Sequence, residues 1–243
     1  AGGTETAWNV EYGPAGFALG SGTLVNVTTN PYTLSGLTSA TGYDVYVQAD
    51  CGGGDVSPWS GPHTFATACG TFTAPYLDNF DAGIPCWTQD QNDVFDWTLD
   101  ASGTPSPSTG PSDDITGGGN YLYIETSTPR TTGDSAMIHS GNIDLSGLTN
   151  PQLRFFSHMY GASIGELSVW ITDASGSMTQ VFIKTGDQGD QWNEELVSLA
   201  GYSGVVHFTV LGVVSDNGAG TSYWGDIAFD NFEVREAPSC LPP

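Results

Sequence analysis

Side chains able to do chemistry are abundant in this chain, but they carry no catalytic signature. Its 243 residues hold 27 Asp and Glu against 4 Lys and Arg. A glycosidase needs only two suitably separated carboxylates, so at this density of acids no particular pair is informative. The patterns H-E-x-x-H and G-x-x-x-x-G-K are missing from the sequence. The marker residues of zinc proteases and nucleotide hydrolases are therefore lacking. Asp187, Asp190, Glu194 and Glu195 form a local acidic cluster. The glycines around it and the following Leu196-Val197-Ser198-Leu199 make it read as a solvated loop before a strand. No nucleophile stands out, and the chain reads as non-enzymatic.

Binding chemistry is better represented. In Glu166-Leu167-Ser168-Val169-Trp170-Ile171-Thr172 the period of a strand puts Leu167, Val169 and Ile171 on one face and throws Trp170 onto the other. Val205 to Val210 likewise turns Val206, Phe208 and Val210 inward and His207 outward. Along the stretch 153–160, Arg154, Phe156, His158 and Tyr160 alternate with Leu153, Phe155, Ser157 and Met159. If these strands neighbour one another in one curved sheet, Trp170, His158, His207 and Arg154 form a single patch. Such a patch suits a glycan, with a flat ring against sugar C–H faces and Arg and His donating to hydroxyls or a carboxylate. The competing use of these residues is packing or inter-domain contact. His158 and His207 lack a third ligand at recognisable spacing, so a zinc pair is the poorer idea.

The elements that must position these groups are short strands. A formal charge of −23 and a pI near 4.1 make a surface that repels nucleic acid and anionic membranes. The 38% hydrophobic and 12% aromatic content is enough for real cores, while 33 Gly and 14 Pro punctuate short apolar runs in the manner of turn-rich all-β architecture. No run approaches the eighteen or so apolar residues of a membrane helix, and no basic and apolar export signal opens the chain. It begins without Met, and the stretch 237–243 reads like the opening of another module, so the chain is expected to be a fragment of a longer secreted protein.

Several motifs occur in order: Asp78-Asn79-Phe80-Asp81, Cys86-Trp87-Thr88-Gln89-Asp90, Phe95-Asp96-Trp97, Gly110-Pro111-Ser112-Asp113-Asp114 and Gly225-Asp226-Ile227-Ala228-Phe229-Asp230-Asn231-Phe232. Together they resemble a MAM (meprin-type) domain over roughly residues 76 to 236. The resemblance implies an extracellular jelly-roll module that recognises partners. It also implies a cation held by acidic side chains near the meeting of the first and last strands, with Asp81, Asp114 and Asp230 at the matching positions and Asp78, Asp113 and Asp226 as close seconds. Oxygen ligands without His or Cys suit Ca²⁺, with Na⁺ the alternative occupant. Carboxylates forced together by strand pairing repel, and a divalent ion turns that repulsion into a cross-link. The competing use of these residues is in turns and solvated edges, where Asp is common. Trp97 and Trp224 match core positions of the family.

The first 70 residues are similar to the later strands of a fibronectin type III domain. The similarity rests on Trp8-Asn9-Val10-Glu11-Tyr12-Gly13-Pro14, Tyr32-Thr33-Leu34 before Ser35-Gly36-Leu37, Thr41 to Ala49 and Ser57-Pro58-Trp59-Ser60-Gly61-Pro62. The family has two further strands before the position of Trp8, so one sheet is expected to be incomplete and its apolar face to need a cover.

Four cysteines, Cys51, Cys69, Cys86 and Cys240, lack any C-x-x-C pair and favour disulfides over a thiolate metal site. Cys51 and Cys69 are expected at opposite poles of a hairpin, too far apart to bridge. The MAM resemblance implies a local Cys69–Cys86 bridge, leaving Cys51 and Cys240 open. The expected organisation is thus all-β: a partial fibronectin type III sandwich over 1–70, a MAM-like jelly-roll β-sandwich over 71–237, and the start of a linker or module over 238–243. The expected role is a non-catalytic recognition module of a larger secreted or cell-surface protein, of bacterial multi-domain type, with a structural Ca²⁺. It would bind glycan, as an appendage of a polysaccharide-degrading enzyme, or extracellular protein, and would touch neighbouring domains of its own chain but no nucleic acid or membrane interior. The alternative is a structural spacer or adhesion segment for surface attachment or oligomerisation.

Overall fold

A computed structural model of the chain describes residues 5–239. Cys240, and with it most of the stretch 238–243, lies outside the described residues. All regular structure among the described residues is β, in two compact units, Ala1–Gly70 and Thr71–Pro243.

The first unit has five strands, β1 (Ala7–Pro14), β2 (Thr23–Val27), β3 (Gly42–Gly52), β4 (Asp55–Val56) and β5 (Ser60–Ala66). They form one sheet in the order β2-β1-β3-β4, with β5 also on β3. A single sheet has no second layer to bury its apolar face. Trp8, Val10, Val27, Leu34, Val45 and Val47 accordingly line an open cleft of about 360 Å³. Cys51, at the end of β3, is an exposed free thiol, whereas Cys69 is disulfide-bonded.

The second unit is a two-sheet sandwich. Its strands are β6 (Phe72–Thr73), β7 (Tyr76–Asp78), β8 (Thr88–Gln89), β9 (Thr98–Asp100), β10 (Tyr121–Ile124), β11 (Ser135–His139), β12 (Ile143–Asp144), β13 (Pro151–Met159), β14 (Glu166–Thr172), β15 (Met178–Thr185), β16 (Trp192–Ser198), β17 (Val205–Val213) and β18 (Ile227–Glu236). One sheet runs β16-β13-β18-β10-β9 with β7 on β18, and the other runs β15-β14-β17-β11-β8 with β12 and β6 beyond β17. Cys86, between β7 and β8, is disulfide-bonded.

Period-two alternation builds the core between these sheets. Ile227, Phe229, Phe232 and Val234 of β18, Leu153 and Phe155 of β13, Leu167, Val169 and Ile171 of β14, and Val206, Phe208 and Val210 of β17 are buried in one cluster. The step from Phe229 to Phe232 is three residues because Asn231 takes a positive φ of 50°, and opposite it the pairing of β13 shifts between Arg154 and Phe156. Phe229 and Phe232 share the centre of the aromatic packing, and the Phe229 ring centroid lies 4.9 Å from Trp97, 5.4 Å from Phe80 and 5.9 Å from Trp87, mostly edge-to-face. Trp97 is buried as expected, and its indole donates to the Ala136 carbonyl at 3.1 Å. Phe229→Ala should lower the unfolding free energy of this unit by about 3–5 kcal/mol, read as a shift in urea midpoint at unchanged m-value.

Candidate functional site

The alternation that sends Phe229 inward sends Ala228 and Asp230 to the outer face of the first sheet, and the buried Asp226 precedes them. Neighbouring β10 places Tyr121 and Tyr123 beside Ala228 in a small buried cluster packed against Trp192. An outer face can be buried only if something lies over it, and here the long connection 101–120 does so. It is tied down by the Tyr121 hydroxyl donating to the Ser102 carbonyl, by Trp192 Nε1 donating to the Asp113 carbonyl at 3.1 Å, and by the Ile115 amide donating to Asp230 Oδ2 at 3.2 Å. The Asp226 amide donates to Thr109 Oγ1 at 2.9 Å.

At one end of this connection, three of the six expected metal positions come together. A Cβ on Gly119 would lie 2.2 Å from Asp81 Oδ1 and 2.7 Å from Asp114 Oδ2, so both carboxylates crowd onto a position that only glycine fits. Asp81 also accepts from the Asn120 amide at 2.8 Å. Asp114 accepts from the Gly117 amide at 2.6 Å and from the Thr116 amide at 3.1 Å. Burial pushes the Asp114 carboxyl up, but the Thr116 hydroxyl and the amides of this turn outweigh it and hold it below its ordinary value. Asp230, 1% exposed, is pushed up to about 7 by burial and then by the negative charges of Asp114 and Asp81.

The other three candidates are engaged elsewhere. Asp78 is an interior acceptor for the Phe80 amide (3.0 Å), Trp87 Nε1 (2.9 Å) and the Tyr76 hydroxyl (3.1 Å). Asp113 closes its own turn through the amides of Asp114 and Gly118. Asp226 is fully buried, with one oxygen accepting from Thr126 and the other, Oδ2, without a partner. Among the described residues no three acidic, His or Cys side chains are disposed as a closed ligand set. Asp81, Asp114 and Asp230 approach one another without completing one.

The expected aromatic and basic patch does not assemble. Trp170 and His207 do share the outer face of the second sheet, since Trp170 pairs with Thr209 and Thr172 with His207 on adjacent strands. Arg154 and His158 belong to β13 in the opposite sheet. The sequence gives the facing of each residue but not which sheet receives the strand. Arg154 is bound by Glu194 at 2.5 Å and Glu233 at 3.2 Å. His158 is 2% exposed under Trp192, with Nε2 3.2 Å from Asp190, and burial holds its pKa below the usual histidine value. The burial pattern also corrects the acidic cluster: Glu195 is buried on β16, bonded to Ser157 and paired with Lys184, rather than lying in a solvated loop.

Trp224 is a further correction. It is half-buried outside the core cluster, packed at a tilt of 47° against Tyr223 with ring centroids 4.3 Å apart, and lines a cleft with Tyr160 and Asp187. Family position alone had assigned it to the core, and the glycine-rich turns that carry it to the surface gave no periodicity to read.

A family model described as "MAM domain, meprin/A5/mu" matches residues 79–240. The chain belongs to the MAM domain family. Mouse MAM domain-containing glycosylphosphatidylinositol anchor protein 2 is 34% identical over 182 residues, which is 68% of this chain and 18% of that protein. The chicken MAM domain-containing glycosylphosphatidylinositol anchor protein 1 is 35% identical over 164 residues, 64% of this chain and 16% of that protein. The chain thus spans less than a fifth of the length of these relatives. Among solved structures, the K3 cleaved adhesin domain of Lys-gingipain from Porphyromonas gingivalis superposes with TM-score 0.45 at 15% identity, covering 67% of this chain and 98% of that one. A family 28 carbohydrate-binding module superposes with TM-score 0.44 at 12% identity, covering 68% and 95%.

The orphaned Asp226 has a measurable consequence. Its carboxyl is pushed up to about 7, chiefly by burial and secondarily by Glu125. A carboxyl whose folded pKa lies above its unfolded value near 4 binds its proton more tightly in the folded state. Its contribution is therefore complete below about pH 4 and is lost as pH rises to about 7, amounting to roughly 4 kcal/mol at most. Asp226→Asn should raise stability at pH 8 and shrink the difference between urea denaturations at pH 5 and pH 8. An unchanged difference would contradict the assignment.

Proposed function

We propose that the chain is a non-catalytic recognition segment of a larger secreted or cell-surface protein, binding glycan or extracellular protein, with its MAM unit clamped by Ca²⁺. The observation that carries the cation is the convergence of Asp81, Asp114 and Asp230 with no cationic side chain among them, which leaves Asp230 to hold a proton near neutrality. The donor set is all oxygen, which suits a hard cation. Asp81 follows β7, Asp114 lies in the connection over the sheet, and Asp230 sits in β18. A bound ion would therefore join three segments far apart in sequence, exchanging repulsion for a cross-link. Family membership supports the recognition role, and the names of the relatives support a surface location for the parent protein.

The first unit is proposed as the later part of a fibronectin type III module, consistent with its one-sheet order β2-β1-β3-β5 and its uncovered apolar cleft.

Calorimetry of the whole chain tests the clamp. Ca²⁺ at about a hundred times its dissociation constant should stabilise the MAM unit by about 2.7 kcal/mol, an upward shift in Tm of roughly 5–10 °C for a unit of this size. EDTA should reverse the shift, and Asp230→Asn should remove most of it while raising the Tm of the ion-free protein. A Tm indifferent to Ca²⁺, Na⁺ and EDTA would end the reading.

A further inference from the structure

The cleft beside Trp224 lies among the turns at one end of the sandwich. It is an open hollow of about 380 Å³ lined by Ser108, Tyr160, Gly161, Ala162, Asp187 and Trp224. Its walls are built rather than incidental. Gly161 has φ 136°, and a Cβ there would stand 2.1 Å from the Trp224 carbonyl, so the two backbones meet in a contact closed to any other residue. The Ser163 amide donates to the same carbonyl at 3.2 Å. Thr109 Oγ1 donates to the Tyr160 carbonyl at 2.9 Å and accepts from the Asp226 amide at 2.9 Å, binding the connection 101–120, the end of β13 and the start of β18 into one corner. Tyr223 braces the Trp224 ring at 4.3 Å.

The groups left over face outward. Asp187 uses Oδ1 for the amides of Gly161 (3.2 Å) and Gly189 (3.0 Å), which fixes the carboxylate and leaves Oδ2 as an acceptor. The Trp224 indole N–H and the Tyr160 hydroxyl have no hydrogen-bond partner among the described residues, and neither atom is among the buried orphans. Two half-buried aromatic rings with free donors and one anchored carboxylate with a free oxygen thus share a pre-formed hollow.

We infer that this cleft is a binding subsite for a neutral pyranose unit of a glycan. An aromatic face suits the axial C–H patch of a sugar ring, and hydroxyl groups can both donate to Asp187 and accept from Trp224 and Tyr160. An apolar peptide side chain in the same place would strip water from Asp187 Oδ2 without replacing the hydrogen bond, which disfavours that occupant. The net charge of −23 and the local carboxylate oppose uronic or sulfated sugars. The inference rests on the reading of the module as a recognition element and specifies where and what it would recognise.

Isothermal titration of the whole chain with cellotetraose, mannotetraose and maltotetraose, beside tetragalacturonate as the charged counterpart, tests the subsite. At least one neutral tetrasaccharide should bind with a change in tryptophan fluorescence, and tetragalacturonate should not bind. Trp224→Ala and Asp187→Asn should each weaken that binding by about tenfold or more, with the far-UV spectrum and Tm checked for both. Asp187→Asn preserves the ring packing and carries the test should Trp224→Ala fail to fold. Binding undiminished by either substitution overturns the cleft as the site while leaving glycan recognition by the module standing. Failure of all neutral probes to bind overturns the subsite and glycan recognition together, and equal binding of tetragalacturonate overturns the restriction to neutral sugars.

Discussion

A strand inside a sheet has to satisfy two faces at once, and β18 does so between β13 on one side and β10 and β7 on the other. Its inward residues, Ile227, Phe229, Phe232 and Val234, anchor the aromatic core. The same backbone alternation dictates that the residues between them face out, and these include Asp230. The core therefore fixes the position of a carboxylate that no core requirement would select. The irregularity at Asn231 resets the phase, so Phe232 returns inward and Glu233 faces outward to meet Arg154. Core packing, the carboxylate corner and the ion pairs of the outer face are consequences of one register.

Charge sets the second constraint. All four cationic side chains are committed away from the carboxylate corner: Arg154 to Glu194 and Glu233, Arg235 to Glu233 and Gln152, Lys184 to Glu195, and Arg130 over the ring of Phe95 at 4.5 Å. With no basic group to spare, any further buried acid in this chain can be accommodated only by neutral hydrogen-bond donors, by a proton or by an ion from solution. Asp114 takes the first course through the turn of Thr116 and Gly117, and Asp226 and Asp230 have too few donors to follow it. The difference lies in the backbone: a turn offers several unpaired amides in succession, whereas the amides of a central strand are used by the sheet.

The connection 101–120 links these two constraints. By covering Tyr121, Tyr123, Ala228, Asp226 and Asp230 it turns an outer face into a second interior, and its own polar groups bind to the strands beneath. Thr109 in particular bridges β18 and the end of β13, which holds the cleft of Tyr160 and Trp224 to the same framework as the carboxylates. Recognition surfaces carried on turns gain precision when the turns are fastened in this way to a rigid sheet.

The sequence by itself determined the β class and the facing of individual residues. Leu167, Val169 and Ile171, or Val206, Phe208 and Val210, read inward because alternation is a local property of an extended backbone. Trp97 was legible as core, and motif order identified the family. The resemblance also named Asp81, Asp114 and Asp230, whose meeting depends on pairings across more than a hundred residues. Sheet membership was decided only by the tertiary structure. Arg154 and His158 share a facing pattern with Trp170 and His207, yet lie on the opposite layer of the sandwich, because alternation reports which side of a strand a residue occupies and carries no information about which sheet that strand joins. The covering of an outer face by the connection 101–120, and the emergence of Trp224 from the core into a cleft, were illegible for the same reason. Both arise from irregular, glycine-rich chain whose path is set by long-range hydrogen bonds and close backbone approach, neither of which leaves a period in the sequence.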